Sequence, residues 1–159
     1  MKTQKKLLAI LNSLLAEELT AINQNTVHSE MYENWGYSKL NMAIRKQAMD
    51  GMHHVVWLIE RIVFYNGAPL VYRLNTMKIG KTVSEMINNN NDGKHEVVSA
   101  YHEAIRFASD LDDQGTVDML SKILKVEEVH LDWAANQHKQ IGQIGMENYL
   151  ANQTEYLLN

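Results

Sequence analysis

Pro69 is the only proline in a chain of 159 residues, and proline is the residue that helix interiors tolerate least. It falls in Gly67-Ala68-Pro69, so long helices can run uninterrupted on either side of it. The apolar pattern takes that form. Leu7, Leu11, Leu14 and Ile22 recur at helical spacing over a first segment from about Thr3 to Asn34, ending near Trp35-Gly36. A second segment, from Ser38 as N-cap to about Tyr65, carries Ile44, Ala48, Gly51, Val55, Leu58 and Ile62 on one face, and Asn66-Gly67 closes it.

Residues 67 to 81 show no helical period. A connection this long allows helices two and three to lie parallel instead of forming a hairpin. Thr82 is expected to cap a third helix, with Glu85 at the matching position of a capping box. That helix runs to about Asp110, and the run Asn88-Asn89-Asn90-Asn91-Asp92-Gly93 is expected to loosen it, because these residues favour turns. A fourth helix, about Asp113 to Gln140, carries Val117, Leu120, Leu124, Leu131 and Ala134 on one face; Gly142 and Gly145 break it. A short fifth helix spans Met146 to about Thr154. The expected architecture is an all-α four-helix bundle with a long crossover between helices two and three, in a single domain over residues 1–159.

Composition narrows the function classes. Charged residues make up 21% and the net charge is −4, which argues against broad nucleic-acid binding. There is no cysteine, so disulfides, thiolate metal sites and cysteine nucleophiles are excluded. No segment approaches the roughly 20 apolar residues of a membrane span. The basic start is interrupted by Asn12, Glu17 and Glu18 too soon for a signal peptide, and the expected location is cytoplasmic.

Polar residues fall on the apolar stripes. Glu18 continues Leu7-Leu11-Leu14. Glu127 lies between Leu124 and Leu131, with His130 three residues on. His54 follows Gly51 on helix two, and Lys94 shares a stripe with Ile87, Val97 and Tyr101. Unpartnered buried charge is costly, so these groups are expected to meet. They either bind a cation or neutralise one another as an ion-pair cluster.

The segments Leu15 to Gln24, His28 to Gly36, Ile59 to Ile62, Ile123 to Trp133 and Gly145 to Gln153 together resemble the bacterioferritins over nearly the whole chain. The resemblance implies the ferritin-like fold, a 24-subunit shell around an iron mineral, haem shared between subunit pairs, and a di-iron ferroxidase centre in each bundle. The family centre uses four glutamates and two histidines, and its positions here are Glu18, Gly51, His54, Lys94, Glu127 and His130. Thus Glu18, His54, Glu127 and His130 are a residual metal-ligand set, while Gly51 and Lys94 disrupt it. The tyrosine usual near the centre is Asn25, and an inner-surface histidine is Lys46. Four carboxylates would balance two ferrous ions; two carboxylates and an ammonium do not. Lys94 is expected to take the place of an iron as counter-ion, leaving at most one weakly held metal at Glu127 and His130.

The resemblance also implies that haem is held by a methionine from each of two subunits, here Met52, on a face with Met49, Val56 and Ile59. Leu19, Ile22, Asn23 and Trp35 match pocket positions, whereas Thr26 and Arg45 replace the usual aromatics. His28, His53, His95, His102 and His138 are expected at surfaces or interfaces. Two functional readings follow. One is a haem-carrying shell subunit without its own ferroxidase centre, assembled with a catalytic sister subunit and receiving electrons from a ferredoxin-type partner. The other is an active, homomeric ferroxidase and iron store. A DNA-protecting mini-ferritin is disfavoured by the fifth helix, the acidic balance and the absence of a basic tail.

Overall fold

The computed structural model describes residues 2–154. Five helices follow in order: α1 (Lys2–Asn34), α2 (Ser38–Phe64), α3 (Val83–Asp110), α4 (Gln114–Ile144) and α5 (Met146–Ala151). α1 packs along α2 and α3 along α4, and the two pairs meet through α1 with α3 and α2 with α4. This is the ferritin-like four-helix bundle with its long crossover and short fifth helix.

Three helix ends use the same device. Tyr37 N–H bonds Tyr32 C=O, Gly67 N–H bonds Ile62 C=O, and Asp113 N–H bonds Ala108 C=O. In each, the residue before the donor has positive φ: Gly36 at 83°, Asn66 at 60° and Asp112 at 56°. This six-residue closure satisfies a carbonyl at the helix end, and Asn and Asp adopt it more readily than other side chains do. At the α3–α4 turn Asp113 then caps α4, accepting from Thr116 N–H at 3.2 Å.

The crossover, residues 65–82, climbs the flank of α1. Gln4 Nε2 donates to Tyr65 C=O, Asn12 brackets Ala68 and Leu70, Thr20 Oγ1 accepts from Asn75 N–H, Gln24 Oε1 from Lys78 N–H, and His28 Nε2 from Gly80 N–H. The polar series at 12, 20, 24 and 28 is thus a ladder that carries the chain along the bundle, so that α3 starts level with the start of α2 and runs parallel to it. His28 is fully buried in this ladder, not at a surface; burial holds its ring at about 4, opposed by Asn90. His53, His95, His102 and His138 are exposed, as expected.

Several boundaries differ from the sequence reading. Tyr37, not Ser38, occupies the α2 N-cap, and its side chain makes no cap bond. Thr82 caps α3 by accepting from Glu85 N–H at 3.2 Å, while Glu85 Oε2 accepts from Lys81 N–H, one residue outside the usual box. α3 runs unbroken through Asn88 to Gly93. Its amides bond across space instead of to their own turn: Asn89 Nδ2 donates to Lys78 C=O, and Asn90 Oδ1 accepts from Gln24. Removing that local competition leaves the helix intact. α4 continues through exposed Gly142 to Ile144, and positive φ at Gly145 ends it. α5 closes at Ala151, before Thr154.

The core has two apolar parts. Leu7, Leu11, Leu14, Leu58, Ile62, Tyr101 and Leu120 fill one end. Tyr32, Leu40, Ile44, Met86, Ile87 and Tyr149 fill the other, where α5 seats Tyr149 with its hydroxyl donating to Gln137 Oε1 at 2.6 Å. A polar layer lies between them.

Candidate metal centre

Each of the four long helices contributes to that layer: Glu18 from α1, His54 from α2, Lys94 and Tyr101 from α3, Glu127 and His130 from α4. All are at most 8% exposed. They share the helical periods of their neighbouring leucines, so the spacing that builds the core also turns these groups inward.

His54 Nδ1 stands 3.3 Å from Glu18 and 3.3 Å from Glu127 Oε1. Lys94 Nζ lies 2.8 Å from Glu127 Oε2, and Tyr101 OH donates to Glu18 Oε1 at 3.0 Å. Burial pushes the Glu18 carboxyl up to about 7, reinforced by the Glu127 charge. Burial would also raise Glu127, but Lys94, His130 and His54 hold it well below the ordinary carboxylate range. Burial lowers His54, yet hydrogen bonds and charge from Glu127 and Glu18 outweigh that and hold it up at about 9. Burial and then the two carboxylates push the Tyr101 phenol well above its ordinary value, so it remains a donor.

At neutral pH Glu127 therefore faces two cations, Lys94 and protonated His54, and Glu18 approaches the same His54 Nδ1 beside it. The cluster balances its own charge. At 2.8 Å and an effective dielectric of 20, the Lys94–Glu127 attraction is about 6 kcal/mol before desolvation is counted. Lys94 stands as counter-ion to Glu127, and its inward direction is the one its stripe predicts.

Glu18, His54 and Glu127 can place one ligand atom each within 4.8 Å of one another, which is enough for one ion. His130 does not join them. Its Nε2 pairs with Asp50 Oδ2 at 2.8 Å, its Nδ1 is 3.6 Å from Glu127 and lacks a hydrogen-bond partner, and Lys46 Nζ reaches the same Asp50 oxygen at 3.3 Å. Asp50 and Tyr101, outside the ligand set that the sequence suggests, also contact the site. Tyr101 sits seven residues after Lys94 on one stripe, and Asp50 directly precedes Gly51.

Gly51 is not an empty socket. A Cβ there would lie 2.9 Å from Ile22 Cγ1 and 3.5 Å from Glu18 Oε2, so a side chain at this position would press on Ile22 of α1. Met52, next in sequence, points outward and is 50% exposed. Met42, Met49 and Val56 are likewise exposed on α2. Leu19 and Ile22 are partly buried against the core, Asn23 is exposed, and Trp35 packs edge-on against Tyr37 at the α1–α2 turn.

A family model for the ferritin-like domain matches residues 8–154. The chain is 38% identical over 154 residues to the "Bacterial ferritin" of Synechocystis, covering 96% of this chain and 99% of that protein. It is 34% identical over 151 residues to the "Bacterioferritin" of Mycobacterium leprae, covering 95% of each. It is 31% identical over 149 residues to that of Brucella melitensis, covering 94% and 92%. With the bundle, the crossover and the inward Glu18, His54, Glu127 and His130 in place, the chain belongs to the bacterioferritin family of ferritin-like proteins.

Proposed function

We propose that this chain is an iron-storage shell subunit that binds haem at a twofold subunit interface but does not oxidise iron on its own. The observation that carries the second half is the 2.8 Å Lys94–Glu127 pair inside the cluster. A ferrous ion there must displace Lys94, deprotonate His54 and do without a bridge from α2. Oxidation of iron before mineralisation then falls to a sister subunit with an intact centre in a mixed 24-subunit shell, and mineral iron is the cargo. Glu18, His54 and Glu127, with His130 if it leaves Asp50, retain capacity for one weakly held ion.

The haem assignment rests on Met52. A thioether is a soft ligand suited to haem iron, and Met52 leaves its sulfur available on an exposed apolar strip with Met49 and Val56. An isologous pairing of that strip brings two Met52 side chains to one axis. Leu19, Ile22 and Trp35 would bound the pocket, with Asn23 at its polar edge. When bound, haem supplies a one-electron carrier between a ferredoxin-type donor and the stored iron. Two features of the strip serve it: apolar side chains exclude water, and helical backbone fixes the Met52 position.

Native mass spectrometry of particles purified from the source cell tests the reading, reporting subunit composition and haem together. The expected particle contains a second subunit type and haem, and Met52→Leu removes the haem absorption. A single-component particle that oxidises Fe(II) at the rate of a complete centre overturns it.

A further inference from the structure

Asn66-Gly67 is the only Asn-Gly pair in the chain. It forms the turn that closes α2, with Asn66 exposed and at a φ of 60°. Asn-Gly is the dipeptide most open to deamidation, because glycine has no side chain to crowd the approach of its own nitrogen. In that reaction the Gly67 nitrogen gives up its proton and attacks the Asn66 Cγ. The new N–C bond closes a cyclic imide, and Nδ2 leaves as ammonia. Water then opens the imide to aspartate or isoaspartate. No oxidant, metal or enzyme is needed.

The fold holds the attacking atom away from this path. Gly67 N–H donates to Ile62 C=O at 2.9 Å, and Asn66 N–H donates to Val63 C=O at 2.8 Å. Three residues of α1, each a helical turn apart, pin the same segment. Gln4 Nε2 donates to Tyr65 C=O at 2.9 Å. Leu8 packs against Gly67, where a Cβ would come within 2.6 Å of Leu8 Cδ2 and 3.1 Å of Ile62 Cγ2. Asn12 brackets Ala68 and Leu70 just beyond. The Gly67 nitrogen can reach Cγ only after its bond to Ile62 breaks and the turn leaves Leu8. A helix end opens more readily than the core does, so that step is local.

We propose that Asn66 is a deamidation site whose rate is set by opening of the α2–crossover turn away from α1. The product undoes the turn. Isoaspartate lengthens the backbone, and either product puts a carboxylate just past the C-terminal end of α2, where the helix dipole disfavours it. A chain that opens there is marked, and it closes less well afterwards.

The assembled protein is incubated in mildly alkaline buffer, folded or unfolded in guanidinium chloride. Conversion at Asn66 is followed by peptide mass spectrometry, and isoaspartate by methyltransferase labelling. Conversion is expected in the unfolded chain, with the folded protein at least about tenfold slower. Leu8→Ala should speed the folded-state reaction by roughly three- to tenfold. Ile44→Val, in the other part of the core, should leave it within about twofold. Circular dichroism confirms that both variants fold. Equal rates in the folded and unfolded protein, or no conversion when unfolded, overturn the site. No acceleration in Leu8→Ala, or equal acceleration in both variants, overturns opening of this turn as the controlling step.

Discussion

Replacing Lys94 with methionine separates the two jobs assigned to this residue, stabilising the bundle and keeping metal out. Methionine keeps the length of the stem and removes the charge. Glu127, 1% exposed, then loses its 2.8 Å partner and retains His54 at 3.3 Å. Breaking one partner of a buried pair costs about 3–5 kcal/mol. The surviving His54 contact places Lys94→Met at the lower end, about 3 kcal/mol. For a chain of this length that is a fall of roughly 6–12 °C in thermal midpoint. The same change should let a divalent ion approach Glu127, so added Mn(II) should restore part of the lost midpoint in the variant and do less for the parent, whose Glu127 stays paired. Thermal unfolding followed by circular dichroism, with and without Mn(II), reads both effects. A variant as stable as the parent, with no added response to metal, would refute the reasoning, because Lys94 would then neither neutralise Glu127 nor exclude an ion.

Other substitutions bear on the same cluster. Gly51→Glu supplies the α2 carboxylate that the resemblance implies but forces its Cβ within 2.9 Å of Ile22 Cγ1. It should destabilise by about 1–3 kcal/mol and leave Fe(II) oxidation absent in a stopped-flow assay; rapid oxidation by this single variant would show that Lys94 is no barrier. The raised values of His54, about 9 against an ordinary 6.5, and Glu18, about 7 against 4.5, mean that the folded state holds protons the unfolded chain releases. Their stabilisation is complete below the unfolded values. It is lost as pH rises, from 4.5 to about 7 for Glu18 and from 6.5 to about 9 for His54. Unfolding free energies from urea titrations should therefore fall between pH 6.5 and 9, by up to about 3 kcal/mol from His54, and a flat profile contradicts the His54 assignment. His28 has the opposite sign. Held at about 4, it stabilises fully above 6.5 and loses that as pH falls towards 4. His28→Gln should flatten the acid limb of the same urea experiment.

Much of this was legible in the chain because periodicity reports direction. Leu7, Leu11, Leu14 and Glu18 fall on one stripe, so an inward Glu18 follows from the same rule that places the leucines. Lys94 among Ile87, Val97 and Tyr101 is inward for the same reason. What escaped depended on partners remote in sequence. The Asn88–Asp92 run reads as a loop because amides compete with their own backbone, and only the crossover and Gln24 reveal where those amides go instead. His28 lacks a spaced metal-ligand partner and so reads as a surface group, although the series Asn12, Thr20, Gln24 and His28 marks a polar ladder once the crossover is known to follow α1. Asp50 lies off the α2 inner stripe that carries Gly51, and its partner His130 is on α4, remote in sequence.

Iron-edge anomalous diffraction from crystals soaked anaerobically in ferrous salt shows directly whether the buried cluster takes up a pair of irons. The expected result is Lys94 still on Glu127 and no pair of irons in the buried cluster, with at most one weakly occupied ion. Two well-occupied irons bridged by Glu127, with Lys94 displaced, would contradict it.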